Sequence, residues 1–291
     1  MLPGMRGKPR IAIVGAGNLA SALGVSLRRA EYVIEAVIPR ARVGSVKKAR
    51  SLAREVGARV WSGPPPDLNA EVVWFCVPDA EIARAARSLA GKIRWKRTVA
   101  LHSSGALTSD ELEVLRERGA AVASVHPLMT FVRGSRPALA GVPFAVEGDA
   151  AAVRVARRVV NDLGGRAHAI RKEDKSAYHA WGTFASPLFT ALIATGEQVA
   201  VLAGVDRKAA RRRMIPILLQ TVANYAAFGA AEGFSGPIVR GDVDTVRRHL
   251  RVLRRAPAAQ EVYLGLARAA LRYLPVKNKG ALKKVLRSQG D

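Results

Sequence analysis

The sequence predicts an α/β chain in which a mainly parallel, doubly wound sheet domain precedes an all-helical domain. Three observations predict this class. Apolar segments of strand length alternate with helical segments, a glycine turn joins the first strand to the first helix, and no convincing strand pattern follows the last of these strands. The predicted domains are therefore 1–172 and 173–291.

The strand segments are short apolar runs bounded by turn residues. In chain order they read RIAIVGAG, YVIEAVIPR, ARVWS, EVVWFCVPD, TVALHSSG, AAVASVHP, VPFAVEGD and RAHAIRK. Segments of helical periodicity lie between most of them, including NLASALGVSLRR after the first strand and a helix over Thr108–Arg118. EVVWFCVPD is apolar almost throughout, which predicts a strand buried on both faces.

The second domain consists of four long helical segments, at 173–204, 206–230, 242–255 and 257–274. Their apolar faces predict a homodimer interface. The glycine-rich stretch GFSGPIVRGD between two of them predicts a loop whose Asp242 caps the next helix.

Composition restricts the compartment and the kind of site. The only cysteine is Cys76, so an intramolecular disulfide is impossible, and a reducing, cytoplasmic location is expected. The longest apolar stretch is interrupted by Pro187, Glu197 and Gln198, so no transmembrane span is expected. One cysteine and five scattered histidines offer no zinc-ligand spacing, so no catalytic metal is expected.

A net charge of +24 is the one feature that points towards nucleic acid. Much of the charge lies in RKAARRRM, VRRHLRVLRR and the tail that begins at Val276. The first two segments have helical spacing beside apolar residues, which indicates solvated helix faces. A small-molecule partner is therefore favoured over nucleic acid. Attraction of anionic ligands and a compositional bias towards arginine are the alternative explanations of the net charge.

The turn after the first strand has the spacing of a dinucleotide-binding turn. It runs Gly15-Ala16-Gly17-Asn18-Leu19-Ala20 between a predicted strand and a predicted helix. Gly15 permits the tight turn, Gly17 lets a pyrophosphate approach the backbone, and Asn18 and Leu19 open the helix whose N–H groups attract phosphate. The alternative is a glycine turn with a structural role only.

The end of the second strand favours NADP over NAD. An NAD site carries an acidic residue there, whereas this strand ends in Arg40 and Arg42, and Glu35 comes too early. Two arginines suit the 2′-phosphate of NADP. The alternative is that both are ordinary surface arginines.

Three further strand ends lie where ligands bind in open α/β sheets, at Val77–Asp79, His102–Gly105 and His126–Leu128. Val77 and Pro78 are predicted to pass near a cofactor ribose. Ser103 and Ser104 are predicted to hold the nicotinamide carboxamide or a substrate carboxylate. His102 is a candidate for catalysis, with a structural histidine at a strand end as the alternative.

The motifs GAGNLA, VPDAEI, LHSSGAL, SVHPLMTF, DKSAYHA and GFSGPIVRGD, in this order, resemble a family in which a Rossmann-like domain precedes the domain of unknown function 2520. The resemblance extends from about Ile11 to Leu274. It implies an architecture similar to ketopantoate reductases, pyrroline-5-carboxylate reductases and β-hydroxyacid dehydrogenases, with a C-terminal domain like that of 6-phosphogluconate dehydrogenase.

The resemblance also implies roles for two residues. In β-hydroxyacid dehydrogenases a lysine at the head of the first long helix acts on the substrate, with an asparagine four residues later. Lys175 and His179 match this spacing, but His179 departs from the asparagine. An asparagine that the family carries near Pro187 is also absent. Lys175 and His179 are thus the predicted catalytic pair, with a solvated lysine at a helix start and a histidine that caps local backbone as the alternative. From their places at a strand end and in the glycine-rich stretch, His126 and Arg240 are predicted to bind substrate.

The sequence therefore predicts an NADPH-dependent reductase of a C=O or C=N group in a small, carboxylate-bearing compound. Hydride exchange between deazaflavin and NADP is an enzymatic alternative. A non-enzymatic alternative is an NADP-binding sensor or scaffold, which would bind the cofactor tightly without turnover.

Overall fold

The computed structural model describes residues 7–40, 44–61 and 68–287. Its centre is an eight-stranded sheet in the order β3-β2-β1-β4-β5-β6-β7-β8. Every pairing between neighbouring strands is parallel except β6 with β7, which is antiparallel. The strands are β1 (Ile11–Val14), β2 (Ile34–Ile38), β3 (Arg59–Val60), β4 (Val72–Phe75), β5 (Val99–His102), β6 (Ala121–Pro127), β7 (Pro143–Gly148) and β8 (Arg166–Ala169).

Twelve α-helices occur among the described residues, together with short 3₁₀ turns. They are α1 (Asn18–Arg29), α2 (Ser45–Val56), α3 (Ile82–Ala90), α4 (Glu113–Arg116), α5 (Ala150–Asp162), α6 (Lys175–Thr183), α7 (Phe189–Leu202), α8 (Arg207–Glu232), α9 (Pro237–Arg240), α10 (Val243–Leu253), α11 (Pro257–Tyr273) and α12 (Lys279–Arg287). A π-helical turn at Phe184–Leu188 links α6 to α7.

Both faces of the sheet are covered. One core packs α1, α2 and α5 against the sheet, and a second core packs α3 and the segment around α4 against the opposite face. The central strands β1 and β4 are buried along their whole length, as their continuous apolar sequences require. The predicted doubly wound α/β domain is therefore confirmed.

The chain separates into two compact units, Met1–Phe184 and Ala185–Asp291. The helix that begins at Lys175 thus lies in the first unit together with the whole sheet. The boundary predicted from the sequence, at residue 172, comes directly after the last strand and before this helix. It stays a prediction.

The second unit is helical, as predicted, with a small core between α10, α11 and α12. Two helices in this unit were not foreseen. Within GFSGPIVRGD, Pro237 begins α9 and the left-handed Gly241 ends it, a combination that favours one short helical turn. In the basic tail, Leu282, Val285 and Leu286 recur at helical spacing and are buried, so α12 belongs to the core.

Helices α7 and α8 contribute little to this core. None of the residues of α7 is buried, and α8 buries only Ala209 and Ala210. The helical stretches Lys172–Leu202 and Arg207–Arg240 are long and apolar enough to cross a membrane by length and composition alone. This finding is weak support for a span, because helices of water-soluble proteins pass the same test.

One helix of the first domain is shorter than predicted. Thr108–Arg118 forms a 3₁₀ turn at Ser109–Leu112 followed by the single turn α4. The buried Glu147 of β7 accepts hydrogen bonds from both the N–H and the hydroxyl of Ser109, and these bonds fix the chain at this point.

Candidate active site

The glycine turn after β1 leaves open space in front of a helix. Gly15 has φ +104°, and a Cβ there would lie 2.5 Å from the carbonyl oxygen of Cys76, so only glycine fits. Gly17 caps α1, and a Cβ there would meet nothing within 4 Å. No side chain caps α1. Its first N–H groups therefore face a space that suits a phosphate group.

Asn18 and Leu19 have different surroundings at this turn. The Asn18 side-chain amide donates to the carbonyl of Phe131 at 3.1 Å. This bond ties the start of α1 to the segment that follows β6. Leu19 is half-buried and packs against the core on the α1 face of the sheet.

A cavity of about 520 Å³ lies beside the ends of β1 and β2 and follows α3. Arg40, Arg84 and Lys92 line it with one carboxylate, that of Glu81. The guanidinium of Arg40 donates to Glu81 Oε2 at 3.0 Å, and the Arg40 backbone N–H donates to the Ser45 hydroxyl at 2.8 Å. The excess of cations suits an anionic group. Arg42, the second predicted arginine, lies outside the described residues.

Trp61 also lines this cavity. Its side chain is buried, and the indole Nε1 has no hydrogen-bond partner among the described residues. A buried N–H without an acceptor is uncommon in proteins. Val77 and Pro78 lie after β4, on the turn that leads to α3.

His102 is enclosed at the end of β5. Its Nε2 lies 2.9 Å from the Thr108 carbonyl, and its Nδ1 accepts the Ser104 N–H at 3.1 Å. These partners require the neutral tautomer with the proton on Nε2. Burial lowers the pKa of His102 to about 4. Both ring nitrogens are thus engaged in holding the chain between Ser104 and Thr108.

Lys175 is buried below the same turn, with 1% of its surface exposed. Its Nζ donates to the Ser104 carbonyl at 3.1 Å and to the Ser124 hydroxyl at 2.7 Å. Burial lowers the pKa of Lys175, and the negative charges of Glu147 and Asp79 oppose that shift. The ammonium group therefore clamps the Ser104 carbonyl from the protein side.

The serines of the turn are fixed as well. The Ser104 hydroxyl donates to Asp79 Oδ2 at 2.8 Å and accepts the Leu107 N–H at 2.9 Å. The Ser103 hydroxyl accepts the indole N–H of Trp74 at 2.8 Å. In contrast, the N–H groups of Gly105 and Ala106 have no partner among the described residues. We define Ser103–Ala106 as the serine turn.

Two imidazoles lie on the other side of the serine turn. A Cβ on Gly105 would come within 2.8 Å of His126 Nε2 and 2.6 Å of His179 Cδ2, so both rings lie against this glycine. The ring centroids of His126 and His179 are 6.1 Å apart, and Tyr178 makes an edge contact with His126 at the same centroid distance. This arrangement requires glycine at position 105.

His126 has the geometry of an oriented base. Its Nδ1 lies 3.1 Å from the Ser103 carbonyl and is the nitrogen that carries the proton when the ring is neutral. Burial lowers the pKa of His126, the hydrogen bond to the Ser103 carbonyl opposes this shift, and the positive charge of Lys175 adds to it. Its Nε2 and both nitrogens of His179 have no partner among the described residues. His126 Nε2 can therefore accept a proton at neutral pH, or donate one once protonated.

The structure brings most of the predicted site residues to the carboxyl edge of one sheet. Ser103 and Ser104 belong to the serine turn. Around it lie the other predicted residues of this edge, namely Lys175, His179, His102 and His126. Arg240 ends α9 in the second unit. The roles predicted for these residues stay predictions.

Sequence reasoning did not single out Ser124 and Glu147. Ser124 precedes His126 by two residues on the same side of β6, and Glu147 is buried in β7. Both are polar residues inside otherwise apolar strands, which was a signal available in the sequence. Among the described residues, no group of three or more His, Cys, Asp or Glu side chains is arranged to hold a metal ion.

Comparisons with known structures agree with this architecture. A Bacteroides fragilis protein named as a candidate NADP oxidoreductase, BF3122, has 21% identity and a TM-score of 0.75 over 90% of this chain and 97% of its own. Protein TM1727 from Thermotoga maritima has 23% identity and a TM-score of 0.68, over 97% and 100%. A reductive aminase from Aspergillus terreus, solved with NADPH and ethyl-5-oxohexanoate, has 14% identity and a TM-score of 0.66, over 96% and 100%. At these identities the likeness shows a shared fold.

Family models assign the two parts of the chain. No curated protein matches the sequence significantly. Residues 5–127 match the Rossmann-like domain, and residues 142–270 match the family described as Domain of unknown function (DUF2520). The chain therefore contains a Rossmann-like domain followed by a DUF2520 domain.

Proposed function

We propose that this chain is an NADP-dependent oxidoreductase that transfers hydride between the nicotinamide and a C=O or C=N carbon of a small, carboxylate-bearing substrate. One observation carries the proposal. The edge of one sheet holds both an open glycine turn at a helix N-terminus and, two strands away, a glycine covered by two imidazoles. Two strand spacings correspond to roughly 10 Å, which a dinucleotide can bridge.

The residues at the first turn fit the cofactor. Gly15, Gly17, Asn18 and Leu19 would hold the pyrophosphate, because Gly17 leaves its space open and α1 lacks a side-chain cap. NADPH, when bound, supplies the hydride. The name of the Bacteroides fragilis protein and the NADPH in the reductive aminase structure support this cofactor class.

Arg40 supports NADP over NAD. It would bind the 2′-phosphate while Glu81 holds its guanidinium in place, and Arg84 lines the same cavity. NAD sites carry an acidic residue at the end of β2. Glu81 is not that residue, because it lies just before α3 and not at the end of β2.

The protonation step belongs to the imidazoles. His126 Nε2, oriented through Nδ1 by the Ser103 carbonyl, would pass a proton to or from the substrate oxygen or nitrogen, and His179 would exchange that proton with solvent. The N–H groups of Gly105 and Ala106, which have no partner among the described residues, would donate hydrogen bonds to the substrate carboxylate. Lys175 and His102, predicted as catalytic, are enclosed, and this favours a role in positioning the serine turn.

The test is a screen for NADPH oxidation with small keto acids, ketones and cyclic imines. His126→Asn keeps a donor for the Ser103 carbonyl but has no Nε2, so we expect the rate constant to fall about 10²–10⁴-fold with unchanged NADPH binding. His168→Asn, an exposed histidine on β8, is the matched control. Full activity in His126→Asn would contradict the assignment. Tight NADPH binding without turnover on any substrate would favour the sensor or scaffold alternative.

We propose further that a second copy of the chain covers α7 and α8. These helices carry eight of the 18 large apolar side chains that the described residues expose, among them Ile217 and Leu219, each 66% exposed, and Phe228 at 60%. Two helices with this many exposed large apolar side chains are typical of a surface that a partner covers. Light scattering should give the mass of a dimer. Leu219→Asp with Phe228→Asp should give a monomer, whereas Val33→Asp at an exposed site of the first unit should not. A monomeric native protein would exclude this interface.

A further inference from the structure

A cationic groove lies between α11 and α12 in the second unit, with a volume of about 640 Å³. Five of its lining side chains are positively charged, namely Arg268, Arg272, Lys279, Lys283 and Arg287. Its apolar floor includes Leu271 and Leu286. We call this feature the cationic groove.

No carboxylate balances these charges. From Leu264 to Arg287 the sequence has seven lysines and arginines and no aspartate or glutamate. None of the five groove cations forms an ion pair with a described carboxylate, whereas Arg247 on the neighbouring α10 pairs with Asp244 at 3.1 Å. Like charges gathered around one concavity repel each other, so a bound anion would stabilise this region.

The groove is a fixed feature of the fold. Arg268 on α11 donates from Nη2 to the Leu286 carbonyl on α12 at 2.9 Å. The two helices also share the buried side chains Ala267, Leu282 and Leu286. Because both helices are anchored in the core, the backbone positions that carry the cations keep a constant spacing. The groove therefore gathers cations from two helices, which distinguishes it from a solvated face on a single helix.

An exposed aromatic ring adjoins the cationic groove. Tyr273 ends α11 and is 74% exposed, more than any other large apolar or aromatic side chain in the described part of the chain. The Arg272 guanidinium carbon lies 5.7 Å from its ring centroid. An exposed ring next to a groove of cations provides a surface on which a nucleobase can stack while its phosphates contact the cations.

We propose that the cationic groove binds the phosphate chain of a single-stranded nucleic acid, with Tyr273 stacking on a base. This inference is independent of the proposed reductase function, because it concerns other residues in the other unit. Inorganic polyphosphate offers the same chain of phosphates without bases, so the contribution of Tyr273 distinguishes the two sources.

The experiment measures binding of a labelled oligothymidylate of about twelve nucleotides to the full chain by fluorescence anisotropy at several salt concentrations. If the five cations each contact one phosphate, log K should fall with log salt with a slope of about −3.5. Lys279→Gln with Lys283→Gln should weaken binding about 25-fold at about 0.1 M salt and reduce the slope to about −2.

Arg28→Gln with Arg29→Gln is the matched control, since it removes the same charge from an exposed end of α1. It should change affinity less than about twofold. Tyr273→Ala should weaken oligothymidylate binding about tenfold and leave competition by inorganic tripolyphosphate unchanged.

Three results would overturn the proposal. They are no binding by the native chain, an equal loss in the groove and control variants, and a salt slope that the groove variant does not change. Strong tripolyphosphate competition together with no effect of Tyr273→Ala would support a phosphate-binding groove but overturn its assignment to nucleic acid.

Discussion

The turn after β1 and the serine turn after β5 sit two strands apart on one sheet edge and are built in opposite ways. At Gly17 the first turn has empty space, an uncapped helix and no side chain. The serine turn is held by Lys175, His102 and Asp79, which lie in three different segments of the chain. A backbone site needs only local sequence, whereas a side-chain site needs the whole fold to bring its parts together.

This difference has a chemical consequence. A pyrophosphate is bound by amide N–H groups and a helix dipole, so the protein must keep side chains away from it. A proton transfer needs an oriented base, so the protein must fix the groups around it. A substitution at the first turn should therefore lower the affinity for the cofactor and leave the free energy of unfolding unchanged. A substitution at the serine turn should lower the free energy of unfolding.

The largest expected effect is at the first turn. Gly17→Asp places a carboxylate where the pyrophosphate is expected, and repulsion of about 4 kcal/mol would weaken NADPH binding about 10³-fold. The free energy of unfolding should stay within about 0.5 kcal/mol, because aspartate is a good N-cap and meets no neighbour. Titration of NADPH followed by urea unfolding checks both. Gly91→Asp, at another open position, should change neither.

The second effect is at the serine turn. Lys175→Ala removes the ammonium group that donates to the Ser104 carbonyl and to the Ser124 hydroxyl, and it opens a cavity, so we expect the free energy of unfolding to fall by about 3 kcal/mol. Lys172→Ala, at a half-buried lysine that lies three residues earlier in the chain and pairs with Asp110, should cost less than about 0.5 kcal/mol. Urea unfolding of both variants decides. Equal stability would mean that Lys175 is not a structural clamp.

The third effect is a dependence of stability on pH. The pKa of His102 is about 4 in the folded chain and about 6.5 in the unfolded chain, so below pH 6.5 the unfolded state takes up a proton that the folded state does not. This contribution to stability is complete above the unfolded pKa and is lost as the pH falls towards 4. Between pH 7 and pH 5 the loss should be about 2 kcal/mol.

His102→Gln removes that titration, so its unfolding free energy should change less over the same pH range than that of the native chain. His168→Gln should keep the native pH dependence, since His168 is exposed on β8. Identical pH profiles for the native chain and His102→Gln would show that His102 is not the group responsible.

The sequence was sufficient for the parts of the molecule that depend on local pattern. Alternating strands and helices predicted the sheet, and the spacing of Gly15 and Gly17 predicted the open turn. The end of a strand pattern pointed to His126, and the family resemblance pointed to Lys175, and the roles of both residues stay predictions. The burial of Lys175 could not be read from DKSAYHA, because it depends on Ser124, a residue 51 positions earlier on another strand.

The same limit applies to His102 and to the tail. Whether a histidine at a strand end is free or enclosed depends on how the following turn folds back, and here the Thr108 carbonyl closes over it. The tail forms α12 because α10 and α11 offer it a core, which its composition alone does not reveal.

A fluorescence titration of the purified chain with NADPH and with NADH, at physiological salt, tests the central claim most directly. We expect saturable binding of both cofactors or of NADPH alone, with NADPH the tighter ligand, because Arg40 follows the end of β2. Failure of the folded native chain to bind either cofactor would contradict it.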